Sequence, residues 1–221
     1  MVRCMEALPE VGHESKLRLL DAALAVIRAR GYAAATIDRI CHKAEVTKGS
    51  FFHHFKSKDD LALAAVAYWG TMTDSFFAAA PYRRLGDPFD RLIGYVDFRA
   101  SILNGDLYEY TCLLGTLVQE TYDTHPEIRV GCDVGMSNHI AELTKDVESA
   151  KALYAPTADW SAESVGYFIQ SVLQGGFIFA KAKQSPVVVR EDLAHLKRYL
   201  GTLFGKTIET QERTKHGHLE S

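Results

Sequence analysis

Between about Ser15 and Arg30 the apolar residues Leu17, Leu20, Leu24 and Ile27 recur three and four apart. That is the spacing of one helical face. Gly31 follows and suits a left-handed helix stop. Thr36 is placed to cap a second helix that buries Ile37 and Ile40. A turn falls at Ala44-Glu45-Val46, and a third helix starts at Thr47 or Lys48 and ends near Phe55. Ser57-Lys58-Asp59-Asp60 has the serine and acid spacing of a capping box. It opens a long helix from about Asp59 to Ala80, which Pro81 ends. Further helical segments are expected at about 88–104, 107–122, 126–153, 161–184 and 189–205. The breakers between them are Asn104-Gly105-Asp106, His125-Pro126, Ala155-Pro156 and Ser185-Pro186. Only Pro186-Val187-Val188-Val189 reads as strand, and it is too short to build a sheet. Residues 1–14 and the polar tail 206–221 read as frayed ends. The pattern therefore predicts an all-α chain of about nine helices. A three-helix head spans 15–60 and a larger helical body spans 61–205.

The last two long segments differ from the rest. In 161–184 apolar residues occur nearly all round, so this helix is expected to be buried on more than one side. Gly175 and Gly176 allow close helix approach, because no side chain holds the backbones apart. In 189–205 the stripe Leu193, Leu196, Leu200, Leu203 and Phe204 is clean. We assign Phe168, Val172, Gly175, Gly176, Phe179, Leu193, Leu196, Leu200 and Leu203 to a surface that pairs with a second copy of the chain.

The 221 residues are 47% hydrophobic and 24% charged, enough apolar material for a sizeable core. No apolar run approaches membrane-spanning length. The amino-terminal stretch carries acids and lacks the long apolar segment of a secretory signal. Cys4, Cys41, Cys112 and Cys132 are scattered without a C-x-x-C pair. Neither a disulfide framework nor a structural zinc site is expected, and a cytoplasmic setting is the default. The net charge of −3 conceals an asymmetry. Residues 1–58 carry 10 Lys and Arg against 6 Asp and Glu, and the remainder carries 15 against 22. A basic end on an acidic body is the charge layout of a nucleic-acid-binding head.

The stretch Thr36–Leu61 carries the most specific chemistry. Two short helices joined by a tight turn, with basic and hydroxyl residues at the exposed start of the second, suit a helix entering a DNA major groove. Gly49 lets that helix approach the duplex closely. Lys48, Ser50 and Phe51, on its first turn, are assigned to base edges. Thr36, Thr47, His53, His54 and Lys58 are assigned to the phosphate backbone, which fixes register. Helix starts at Thr36 and Ser57-Lys58 add backbone N–H groups that welcome phosphate. Phe52 or Phe55 must anchor the helix to its own core.

The segment V-T-K-G-S-F-F-H-H-F-K-S-K-D-D-L resembles the signature of the tetracycline-repressor (TetR) family of bacterial regulators, whose usual form is close to V-S-K-G-T-L-Y-Y-H-F-K-S-K-E-E-L. The upstream T-I-D-R-I-C-H-K-A is similar to the second helix of that family, and G-Y-A-A-A-T to its lead-in. The resemblance covers about residues 15–62. It implies a three-helix DNA-binding domain, a ligand-binding and dimerisation domain, and repression relieved by a small molecule. The expected partners are operator DNA, a second copy and an inducer; no cofactor or metal is implied. Phe52 and His53 stand where two tyrosines are common: Phe52 has no hydroxyl for phosphate, whereas His53 can donate.

A regulator of this kind needs a cavity between helices, mostly apolar with a few polar groups. Candidates are Trp69, Phe76, Tyr95, Phe98, Arg99, Tyr110, Cys112, Tyr122, Tyr167, Gln170 and Gln174. Arg99, inside an apolar helix, could hold a carboxylate. Cys112 lies in Y-T-C-L-L-G-T-L, which resembles a G-C-L-L-G-x-L segment in a subset of TetR-type regulators, some of which respond to electrophiles or oxidants through a cysteine. A thiolate near a cation is reactive and a buried thiol inert. An enzyme is not expected: the chain has no H-E-x-x-H, G-x-S-x-G or phosphate-binding glycine loop, and His125, Cys132 and His139 are too widely spaced for a familiar zinc site.

Overall fold

The computed structural model describes residues 11–208. Within them the chain forms ten α-helices and one 3₁₀ turn, without strands. The helices are α1 Val11–Arg30, α2 Ile37–Ala44, α3 Lys48–His54, α4 Lys58–Ala78, α5 Pro88–Ser101, α6 Leu107–Tyr110, α7 Leu113–Thr121, α8 Pro126–Tyr154, α9 Ala162–Lys183 and α10 Val187–Leu203; the 3₁₀ turn is Pro81–Arg84. The first helix starts four residues before its apolar stripe indicates. The fraying expected of residues 1–10 and 209–221 falls outside the described residues.

Local caps explain the head. Gly31 ends α1 at φ 82°, its N–H bonded to the Ile27 carbonyl at 2.8 Å. A Cβ there would stand 2.1 Å from Glu120 Oε1, so glycine is required twice over. Thr36, Thr47 and Ser57 each accept a backbone N–H three residues on, from Arg39, Ser50 and Asp60. Asp60 returns the favour by accepting from the Lys56 N–H at 2.9 Å. The α2–α3 turn is made by Glu45 in the left-handed region, φ 54°, which costs a non-glycine residue about 1 kcal/mol.

Two expectations are corrected. The segment 107–122 is not one helix: it breaks at Thr111, extended at ψ 156°, and Cys112 caps the start of α7 with its sulfur 3.5 Å from the Gly115 N–H. The cause is a competing partner. Arg28 of α1 donates to the Glu109 carbonyl at 3.2 Å, so that oxygen is satisfied without another helical turn. Val187–Val189, read as strand, is the first turn of α10, where Val189 is fully buried. β-branched propensity yields to packing against α9.

Two apolar cores result. One joins α1–α4 to Leu113, Leu114 and Leu117 of α7 and Ile128 and Cys132 of α8. The other is formed by α5, α8, α9 and α10 with Phe77 and Tyr82. The core of the head therefore continues past residue 60 into the body. Asp146 of α8, almost fully buried, takes Arg91 at 2.7 Å and Arg83 at 3.4 Å, fixing the 3₁₀ turn and α5 onto α8.

Candidate nucleic-acid interface

The head presents α3 with its start facing outward. Thr47, Lys48 and Gly49 are exposed and Ser50 is half-buried. Only the Thr47 hydroxyl lies within 4 Å of the place a Gly49 side chain would occupy. The Lys48 ammonium pairs with Asp38 of α2 at 2.6 Å, and this hydrogen bond, with the charge of Asp38, raises its pKa.

The aromatic residues of α3 are placed differently from the expectation. Phe51, assigned to a base edge, is 0% exposed and packs against Phe55, ring centroids 5.8 Å apart. Phe52 is 57% exposed. Burial periodicity decides this: Phe51 and Phe55 are four apart and share the inner face, and Phe52 is turned out. Lys58 and His54, both expected at the phosphate backbone, are drawn inward. Lys58 Nζ lies 4.0 Å from the centre of the Tyr32 ring and donates to the Tyr32 carbonyl. His54 Nε2 lies 2.7 Å from the Ser15 hydroxyl, and burial, then His53 and Lys16, lower its pKa. His53 is exposed, as are Thr36 and three residues that the sequence reading missed: Arg39, His42 and Lys43. Arg39 and Lys43, four apart on α2, are a spacing that could have pointed to them.

In the body, a cavity of about 680 Å³ lies among α4 to α9. Of the expected residues, Trp69, Phe76, Arg99, Tyr110, Cys112, Gln170 and Gln174 line it. Tyr95 and Phe98 stand behind the wall, in the aromatic cluster with Phe77 and Tyr82. Tyr167 and Tyr122 are on the outside, 46% and 63% exposed. Missed wall residues include Met72, Phe77, Met136 and His139. Ile128, Cys132, Ile140, Leu143 and Val147 mark the buried stripe of α8. His139 falls beside it, which a helical-wheel reading could have found.

The wall is backed by a partly buried polar relay. The Gln170 amide donates to the Tyr95 hydroxyl at 2.6 Å, and that hydroxyl lies 3.0 Å from His139 Nε2. Burial, with Arg99 and Arg83 nearby, pushes the His139 pKa down to about 4. Arg28 lies over Trp69 at 4.8 Å, and burial lowers its pKa.

A second cavity, about 770 Å³, is bordered by α1, α6, α7 and α9; Arg28, Thr111, Cys112 and Gln174 border both. Lys181 reaches across it to the Thr116 hydroxyl at 2.9 Å, its pKa lowered by burial. Glu120 at the end of α7 accepts the Ala33 N–H of the head at 2.9 Å. The Thr111 hydroxyl, at the helix break, is buried without a partner among the described residues.

The surface assigned to pairing is also corrected. Leu193, Leu196 and Leu200 are at most 2% exposed, inside the body core with Leu203 packed against it. Gly176 faces Val189 of its own chain. What stays outside is Phe168 and Phe179, with Val172 and Gly175 half-buried between them at spacings of four, three and four along α9, and with Tyr199 of α10 against Phe168.

Among the described residues no three His, Cys, Asp or Glu side chains converge as a metal site, and no helix is long and apolar enough to cross a membrane.

Comparison with known proteins matches residues 19–65 to the model of bacterial regulatory proteins of the tetR family. The HTH-type transcriptional repressor NemR of Escherichia coli K12 is 25% identical over 198 residues, covering 86% of this chain and 96% of NemR. The transcriptional regulator AcuR of Cereibacter sphaeroides is 26% identical over 186 residues, 80% of this chain and 79% of AcuR. The crystal structure of regulatory protein TetR from Rhodobacter sphaeroides superposes with a TM-score of 0.75 at 22% identity, covering 86% of this chain and 99% of that one. The capped helix-turn-helix head, the helical body with its cavity and these matches converge: residues 19–65 form a DNA-binding head of the tetR family of bacterial regulatory proteins, and the chain as a whole is similar to transcriptional regulators of that kind.

Proposed function

We propose that this regulator is a repressor that holds a palindromic operator as a homodimer and lets go when a small molecule fills the body cavity. The observation that carries the reading is the continuity of the head core with α7 and α8. The same α6–α7 segment borders the cavity and holds the head through Arg28 and Glu120. A ligand that favours one position of that segment therefore favours one spacing of the two heads. Adjacent major grooves require heads about 34–36 Å apart. Lys48, Ser50 and Phe52 take the base-edge role; Thr36, Thr47, Arg39 and His53 take the backbone. The stripe Phe168, Val172, Gly175 and Phe179 buries against its own copy. The domain division at about residue 60 belongs to this reading.

Fluorescence anisotropy with DNA from upstream of the chain's own gene tests it. Tight, salt-sensitive binding by a dimer is expected, with Lys48→Ala weakening it and Phe179→Glu giving monomers that bind poorly. A dimer indifferent to that DNA and to genomic fragments rejects the reading.

A second input is favoured by the position of Cys112. It sits at the helix break, borders both cavities, and has the cations Arg28 and Lys181 near it. Cys132 is pushed up to about 12 by burial, and Cys41 is raised by burial too, so neither competes as a thiolate. In this reading the Cys112 sulfur displaces iodide from an alkylating agent such as iodoacetamide: an S–C bond forms as the C–I bond breaks, iodide and the thiol proton leave to solvent, and the operator is released. Cys112→Ser should abolish the response to iodoacetamide and spare operator affinity; an unchanged response rejects it.

A further inference from the structure

We infer that the body cavity is built for an amphipathic monoanion, an aromatic or branched carboxylate, gripped between the Arg99 guanidinium and the Nδ1–H of His139. This rests on the sensing role proposed above and names its ligand class.

Arg99 lies over two ring faces, 5.3 Å from the centre of Phe77 and 5.6 Å from that of Phe177. Among the described residues nothing accepts a hydrogen bond from it and no carboxylate pairs with it. Ring faces stabilise a cation but offer no lone pair, so the guanidinium fork keeps its donors for something else. The other cation of the wall is occupied: Arg28 donates to the carbonyls of Leu24 and Glu109. The one carboxylate lining the cavity, Glu109, accepts the Asp106 N–H at 2.8 Å and closes the capping box of α6. The wall is left with an uncompensated positive charge.

The relay behind the wall orients the second donor. Gln170 gives its N–H to the Tyr95 oxygen, and among the described residues the acceptor within reach of the Tyr95 proton is His139 Nε2, so we assign the proton to that bond. The ring proton of His139 is then on Nδ1, which has no partner among the described residues. Since His139 is held neutral well below its ordinary range, it is a donor and not a second cation. His139 and Arg99 both lie against Phe77, at 4.8 and 5.3 Å from its ring centre, both line the cavity, and the Arg99 charge is felt at His139. One fork and one N–H match the two oxygens of a carboxylate. Trp69, Met72, Phe76 and Met136 supply apolar wall for the remainder of the molecule. A dianion would find a single uncompensated charge amid aromatic rings, which argues for one negative charge.

The test uses full-length protein and one scaffold in three charge states: 3-phenylpropionate, 3-phenylpropanamide and 3-phenylpropylamine. Trp69 lines the cavity, so tryptophan fluorescence titration, backed by calorimetry, reports filling. The acid should bind about tenfold or more tighter than the amide, with the amine weakest. Arg99→Gln should erase the difference between acid and amide while leaving amide binding in place. Equal binding of acid and amide to the unaltered protein overturns the anion preference, and needs no variant to fold. A difference that survives in Arg99→Gln overturns the role of Arg99. Binding by none of the three at millimolar concentration overturns the ligand class. Operator binding is measured on the same samples, so loss of the regulatory reading would register separately, as absence of DNA binding.

Discussion

The head and the body are both helical, but they dispose of their polar groups in opposite ways. In the head the hydrogen bonds that start the helices are local: Thr36 to Arg39, Thr47 to Ser50 and Ser57 to Asp60, each spanning three residues. The side chains proposed to meet DNA are outside, and the core under them is plainly apolar. In the body the organising bonds are long-range. Tyr95 meets His139 44 residues away, Gln170 meets Tyr95 across 75, and Asp146 meets Arg83 across 63. The body buries its polar chemistry around a cavity. A surface reader needs rigid presentation and free donors, whereas a sensor needs donors withheld from water until a ligand arrives. The contrast teaches that the same helix rules serve both ends, with burial of the polar groups as the variable.

Substitutions can break or sharpen this contrast. The largest effect is expected at adjacent positions of α3. Phe51→Ala should cost about 4 kcal/mol in urea unfolding, because a fully buried ring is removed. Phe52→Ala should stay within about 0.5 kcal/mol yet weaken operator binding. Similar losses at both would mean that the helix is rotated.

The body should show the next effect through pH. His139 titrates at about 4 when folded and near its ordinary 6.5 when unfolded. Between those values the unfolded chain binds the extra proton, so this contribution to stability is present above about 6.5 and lost as pH falls towards 4. Denaturant midpoints followed over that range should fall more steeply for the native chain than for His139→Gln; parallel curves would place the histidine in contact with water.

A smaller change is expected at the head surface. Asp38→Asn frees Lys48 from its 2.6 Å partner and removes a charge that repels phosphate. Operator affinity should rise about threefold, with a steeper salt dependence; an unchanged salt slope would show that Lys48 does not reach phosphate. The smallest effect is at the turn. Glu45→Gly relieves a left-handed residue and should stabilise the protein by about 0.5 kcal/mol, seen as a melting point one or two degrees higher.

Legibility in the sequence followed the same divide. The three head helices, their caps and the turn at Glu45 could be read because each signal and its consequence lie within a few residues. Phe51 and Phe52 were misassigned because a seven-residue helix offers too few apolar positions to set its inner face without knowing that Phe55 is buried. In the body the helices were legible but not their partners. The break at Thr111 depends on Arg28, 83 positions away, and no local pattern announces it. The leucines of α10 formed a clean stripe, yet one stripe cannot say whether its own α9 or a second copy will cover it. His139 was considered only as a metal ligand, since its value comes from Tyr95 and Gln170, which no spacing connects.

The shared core of head and body has a practical corollary. Leu113, Leu117, Ile128 and Cys132 pack against the underside of α1–α4. A chimera that swaps only the first sixty residues for those of a relative would join two half-surfaces that never adapted to each other. Grafting a new operator preference onto this scaffold should keep α1 and the inner face of α4 in place and redesign only the outward positions of α2 and α3.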